Sequence, residues 1–210
     1  MYKIDNKEKR LINIGNFFIE PDGHSKNQHL LIDWFLSSGL PESGWIFECY
    51  GFKNNLSYFS TLEEKIKRSH SVCLKPNAPR EEILDALSRS QFLIHAMGYN
   101  RKKPEQTEHF GLVAVEALLS GCRPIVHQSG GCPDIKGCLS YHHFDEITSM
   151  IHSEQSNPMA LRHHGLYFNY KQSVVCTEAF IRLVEEKLSS KQCSLGHYFS
   201  LFQYLVLKKQ

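Results

Sequence analysis

Two carboxylates, Glu108 and Glu116, close the two ends of the stretch EHFGLVAVE, with Phe110 and Gly111 between them at the mouth of an apolar helix. This pattern suits an anion flanked by hydroxyl groups. Glycine at 111 lets the main chain approach a ligand closely, and the unbonded N–H groups of a first helical turn point at negative charge. Glu116 lies too far up the same helix to serve that anion, and suits a neutral polyol such as a ribose diol. Glu108, just before the helix, is positioned for a second hydroxyl-bearing group. A diphosphate with a sugar on either side, a nucleotide sugar, is the ligand this arrangement describes.

A second constellation stands near the N-terminus. Gly15 and Asn16 follow the apolar run LINI, and Lys26 sits in HSKN at the start of the next helix-length segment. A lysine there offers a point positive charge to phosphate oxygens. Alone, Lys26 reads as a solvated surface residue; with Gly15 and the glutamate motif in order, the phosphate role is favoured. Glu116 shares its helix with Val113, Val115, Ala117 and Leu118, so its carboxylate needs a partner, either a ribose or a structural Arg or Lys, and the ribose is favoured. Glu108 has a plain alternative as a helix-start acid favoured by the dipole. His109 contacts a ligand or simply packs at the cleft, and His95, ending an apolar run, reads as a buried, hydrogen-bonded histidine. Gly130-Gly131 suits a tight loop beneath a nucleotide or a structural turn.

Those residues need elements to position them. Apolar runs of strand length occur at 11–14, 45–50, 71–74, 91–96 and 123–127, with a sixth at 138–141. Helix-length segments fall near 27–38, 58–68, 80–89 and 111–120, then around 144–152, 157–165 and 174–189. Strands alternating with helices predict right-handed crossovers and a Rossmann-like parallel sheet flanked by helices, an α/β fold. Ligands of such sheets bind beyond the carboxyl ends of the strands, so the turns after Ile14, His95 and Val126 should gather on one edge.

Composition sets outer limits. The 210 residues, 41% hydrophobic, are enough for one sizeable domain. A net charge of +2 argues against a nucleic-acid partner held by a broad basic field. Seven scattered cysteines suggest no disulfide framework and a cytoplasmic setting. Neither they nor the twelve histidines form a metal-ligand pattern, so no metal and no cofactor are expected. No signal pattern and no membrane-spanning run are evident. Peripheral membrane contact stays open, because the segment SLGHYFSLFQYLVLKKQ would dock on protein or on a membrane surface.

The spacing Glu108-x7-Glu116 around His-Phe-Gly, the stretch LINIGNFFIEPDGHSKNQHLLIDWF at 11–35 and QFLIHAMGYNRKKPEQTEHFG at 91–111 together resemble the donor half of retaining GT-B glycosyltransferases. The family resembled is family 4, glycosyl transferases group 1. The likeness runs over about residues 9–190 with the motifs in order. It implies the C-terminal half of a GT-B fold, with a nucleotide-sugar-binding domain at 1–190 and an extension or docking segment at 191–210. The acceptor-binding N-terminal domain would be missing, to be supplied in cis or in trans.

Carried residue by residue, the resemblance assigns the diphosphate to Lys26 and to the main chain around Gly15, Asn16, His109, Phe110, Gly111 and Leu112. It assigns the donor hexose to Glu108 and the ribose to Glu116, with Glu108 and Lys26 as the catalytic pair. It also implies transfer with retention and without a metal ion, on a lipid-linked acceptor in many relatives. An arginine commonly stands beside the glycine where this chain has Asn16, and an amide cannot neutralise charge. Arg101, Lys102 and Lys103 are candidates to make up the difference. The loops at Tyr50-Gly51-Phe52 and Lys75-Pro76-Asn77 would frame the base without revealing which one. The alternative reading is a nucleotide-sugar-binding subunit, or a degenerate domain that needs a separate acceptor-domain partner. A phosphate-handling epimerase of the same architecture is disfavoured by the glutamate pair.

Overall fold

The computed structural model describes residues 2–155 and 157–168. Six strands, β1 (Glu8–Ile14), β2 (Ile46–Gly51), β3 (Val72–Pro76), β4 (Ser90–His95), β5 (Arg123–His127) and β6 (Leu139–Tyr141), form one sheet in the order β3-β2-β1-β4-β5-β6. Every pairing is parallel. The helices are α1 (Gln28–Ser37), α2 (Leu56–Ile66), α3 (Arg80–Arg89), α4 (Leu112–Leu119), α5 (Phe144–Ser153) and α6 (Pro158–Leu166). The expected α/β sheet is therefore present, and each strand lies within a few residues of its apolar run. The helix expected at 174–189 and the segment 191–210 lie outside the described residues, as does the boundary at 190.

Each central strand carries a buried apolar run, Leu11-Ile12 in β1, Phe92-Leu93-Ile94 in β4 and Ile125-Val126 in β5, because both sheet faces are covered. Leu11 and Ile12, adjacent in β1, show the period of two. Leu11 joins Phe35, Phe47, Phe92 and Ile94 on one face, and Ile12 joins Tyr50, Leu87, Leu93 and Ala117 on the other. All of them are almost fully withdrawn from water. Strand order reverses between β1 and β4, which pair with Leu11 opposite Phe92. Their carboxyl ends thus open the crevice in which such sheets take their ligands.

Helix α4 is the apolar element nearest that crevice, burying Ala114, Val115, Ala117 and Leu118. Its far end is tied down by Lys7, whose Nζ donates to the carbonyls of Leu87, Ser88 and Ser120 at 3.2, 2.6 and 2.8 Å. One ammonium thereby serves carbonyls that the ends of α3 and α4 leave unbonded.

Candidate functional site

The loop after β1 is held from several sides. Gly15 N–H donates to the Tyr50 carbonyl at 2.8 Å, extending the β1–β2 pairing past the strand end. Gln28, buried at the start of α1, donates to the carbonyls of Gly15 and Asn16 at 3.0 and 3.1 Å and accepts from the Tyr58 hydroxyl at 3.2 Å. Asn27 caps the helix in the left-handed region, with φ 58°, and its Nδ2 donates to the Ala96 carbonyl at 2.7 Å. Lys26 is thus fixed between the ends of β1 and β4. Its stem lies so close to Gly15 that a Cβ there would stand 2.8 Å from Lys26 Cγ. The glycine is what lets the lysine through.

The loop from β4 to α4 is long and anchored to its neighbours. Gln106 Nε2 donates to Asp22 at 2.6 Å, and the Arg101 guanidinium donates to the carbonyls of Asp22 and Gly23. Arg101 is consequently engaged with the 20–23 turn. Glu108 is locked from below: its carbonyl accepts from Gly131 N–H at 2.9 Å, and a Cβ on Gly130 would come within 2.0 Å of that carbonyl oxygen. Only glycine permits that approach. Gly111 then caps α4 with φ 75° and ψ 56°, another left-handed position, and no side chain caps the helix. Nor does the first turn of α4 carry an acid, so its positive end has no carboxylate of its own there.

These two loops bring Lys26, Glu108 and His95 together. Lys26 Nζ lies 2.9 Å from Glu108 Oε2 and 2.9 Å from Met97 Sδ. Nε2 of His95, the last residue of β4, lies 3.4 Å from the same carboxylate oxygen. His95 is only 3% exposed, and its backbone carbonyl accepts from the Tyr141 hydroxyl at 3.1 Å. The facing His95 nitrogen and the Lys26 ammonium hold the Glu108 carboxyl well below the usual carboxylate range, against the opposing pull of burial. Of the two contacts the pair with Lys26 is the firmer, since His95 Nε2 makes no aligned hydrogen bond among the described residues. The expectation of a buried His95 holds; the expectation that it is hydrogen-bonded fails at this nitrogen, which faces a carboxylate without aligning to it.

Glu116 stands on a different side of α4. Arg80, the first residue of α3, grips it in a fork at 3.1 and 2.5 Å. The Tyr2 hydroxyl approaches the same carboxylate at 3.4 Å and accepts from Arg80 at 3.3 Å. The partner of Glu116 in the structure is therefore an arginine. Arg80 is 48% exposed at its side chain, so the pair is accessible from solvent.

The remaining expected residues line the approach. Asn16 and His109 are exposed, Phe110 is half-buried with its ring 5.8 Å from that of Phe168, and Leu112 is 68% exposed. A shallow cleft lined by Gly15, Asn16, Gly51, Phe52, Asn77 and Ala78 runs beyond β1 and β2, where both loops expected to frame a base meet. His142, His143 and His163 are exposed, whereas His164 is half-buried. Among the described residues Cys49, Cys73, Cys122, Cys132 and Cys138 are free thiols, and no group of three or more His, Cys, Asp or Glu is arranged to hold a metal. No described helix is long and apolar enough to cross a membrane. Arg80 and Tyr2 were not legible as site residues; an Arg opening a helix that already carries Glu81 and Glu82 reads as part of a solvated charge pattern.

Solved structures share this architecture. The glycosyltransferase AviGT4, involved in avilamycin A biosynthesis, matches at 15% identity and TM-score 0.61, over 88% of this chain and 53% of its own. The α,α-trehalose 6-phosphate synthase of Burkholderia multivorans matches at 14% identity and TM-score 0.62, over 90% of this chain and 45% of its own. A chain of the GtfA/B complex matches at 16% identity and TM-score 0.61, over 89% of this chain and 37% of its own. The chain thus spans about half, or less, of the length of these proteins. Among curated proteins no match was found. The family model described as glycosyl transferases group 1 covers residues 2–137, the whole span from β1 through both glutamates to the glycine pair that seats Glu108, and the chain belongs to that family.

Proposed function

We propose that this chain is the donor-binding domain of a retaining glycosyltransferase of family 4, taking a sugar from a nucleotide-diphosphate sugar. The observation that carries the reading is the meeting of Lys26, His95 and Glu108 at the switch point of the sheet, beside the Gly111 start of α4. Lys26 and the N–H groups of Phe110, Gly111 and Leu112 receive the diphosphate and stabilise the negative charge that grows as the glycosidic bond breaks. Glu108 orients the donor hexose. Glu116 takes the ribose once Arg80 and Tyr2 yield, and the cleft beside Asn16 and Asn77 takes the base.

The reaction is hexosyl transfer without a metal ion, in the cytoplasm or at a membrane surface. The acceptor comes from a second domain in cis or in trans, so the isolated chain binds donor without transferring it. A second reading, a nucleotide-sugar-binding subunit without its own catalysis, is favoured by one observation. Asn16 occupies the expected arginine position, and Arg101, a candidate substitute, is engaged by the carbonyls of Asp22 and Gly23.

Calorimetric titration of the 210-residue chain with UDP, GDP and ADP and then with their sugar conjugates tests the proposal. Saturable binding of one nucleotide, weakened by Lys26→Ala and by Glu116→Ala, is the expected outcome. Wild-type chain that binds none of them sinks the reading. Transfer regained on adding an acceptor domain, and not otherwise, separates the enzyme from the binding subunit.

A further inference from the structure

His95 is almost wholly buried and its Nε2 has no hydrogen-bond partner among the described residues, although it faces Glu108 Oε2 at 3.4 Å. An imidazole nitrogen left unpaired in a protein interior is unusual, because burial without a hydrogen bond is unfavourable. It calls for a state in which the nitrogen is used. The two cations or donors that face Glu108 differ in freedom. Lys26 reaches the carboxylate at the end of a long stem, and among the described residues its ammonium has one other contact, the Met97 sulfur. His95 ends a central strand, paired with Val126 and with its carbonyl held by Tyr141. One partner can move and the other cannot.

We infer that His95 is a positioning residue that takes over the Glu108 carboxylate when Lys26 turns to the donor diphosphate. The inference rests on the donor-site reading above. When the anion arrives at the start of α4, Lys26 is the mobile charge able to meet it. Glu108 then loses its ammonium while a second negative charge stands close by. An unpaired, partly buried carboxylate would swing towards water, away from the sugar, or take up a proton and lose acceptor strength, and in either case it would hold the sugar hydroxyls less well. The carboxylate then closes the remaining gap to the N–H of the fixed His95 Nε2, which keeps it ionised and leaves its second oxygen towards the sugar. His95 thus acts on the sugar half of the ligand through Glu108, and not on the nucleotide half.

That division gives a readout which a merely structural histidine would not move. Calorimetry on the full chain would compare wild type, His95→Leu and His95→Gln, each titrated with the nucleoside diphosphate that binds and with its sugar conjugate. Glutamine can present an amide N–H near the place of Nε2; leucine fills the space without a donor. His95→Leu should leave the affinity for the bare nucleotide within about twofold and lower the extra affinity contributed by the sugar by about tenfold or more, the scale of a lost hydrogen bond to a charged group. His95→Gln should recover most of it. Equal weakening towards nucleotide and conjugate, or no effect of leucine, overturns the inference and leaves the donor site intact. Wild type that binds no nucleotide removes the donor site and the inference with it. Should His95→Leu fail to fold, ¹⁵N NMR of the imidazoles in wild type decides: Nε2 of His95 must become the protonated, hydrogen-bonded nitrogen on adding the conjugate, and an unchanged signal refutes the takeover.

Discussion

Glu108 precedes α4 on a loop seated on a glycine pair, with a buried histidine and a half-buried lysine against its carboxylate. Glu116 projects from the helix itself and is held by an arginine with half its side chain in solvent and by the hydroxyl of a residue near the N-terminus. The two acids belong to one motif and are about equally withdrawn from water, at 23% and 21% side-chain exposure, but their partners differ. An exposed cation is screened by solvent and loses side-chain entropy in holding a pair. Arg80 is therefore the member of its pair that can yield to a ligand. The Glu108 cluster is set by backbone contacts and exchanges only its lysine.

The strongest way to break this contrast is Gly130→Ala. Its new methyl would collide with the Glu108 carbonyl from a positive-φ position, and we expect a loss of roughly 2–4 kcal/mol in denaturant unfolding, with donor binding lost alongside. Lys26→Ala should leave the fold largely intact and weaken nucleotide binding by roughly 10- to 100-fold in calorimetry, the scale of a charge-assisted contact. Glu116→Ala should weaken it by only about tenfold, as one lost hydroxyl acceptor would. An equal or larger loss for Glu116→Ala would overturn the ranking of the two ends.

Acid unfolding sharpens the same point. The Glu108 carboxyl titrates below its ordinary range in the folded chain, so the unfolded chain binds the proton first as pH falls. Its stabilisation is fully present above the ordinary carboxylate pKa of about 4.3 and is lost as pH drops below that towards the depressed folded value. Glu108→Gln should flatten this acid limb in unfolding curves. The smallest effect belongs to Arg80→Ala, expected to change unfolding free energy by no more than about 1 kcal/mol.

Much of this frame was legible in the chain. LINI, QFLIH and RPIVH are apolar runs of strand length, and each became a central strand because both sheet faces had to be covered. Gly111 before an apolar helix marked the start of α4, and the order of Gly15, Lys26 and Glu108 placed all three beside one crevice. What stayed hidden depended on contacts across the sheet. Arg80 meets Glu116 only because α3 and α4 lie side by side, and no local pattern announces that. His95 read as an ordinary core histidine because its neighbour Glu108 returns to it only after a long loop. Asn16 stands where the resemblance expects an arginine, but the engagement of Arg101 with the 20–23 turn could not be seen from a basic run of three.

The contact between Lys26 and Glu108 makes the carboxylate an internal counter-ion. On the donor-site reading, the Lys26 charge is already paired in the crevice, and an incoming anion must displace the carboxylate from it. Inorganic phosphate or sulfate could do so, but neither offers the evicted group anything in return. A nucleotide sugar brings its own hydroxyls for Glu108 as it claims Lys26. Discrimination against the small anions of the cell then comes from an exchange that only a two-part ligand completes.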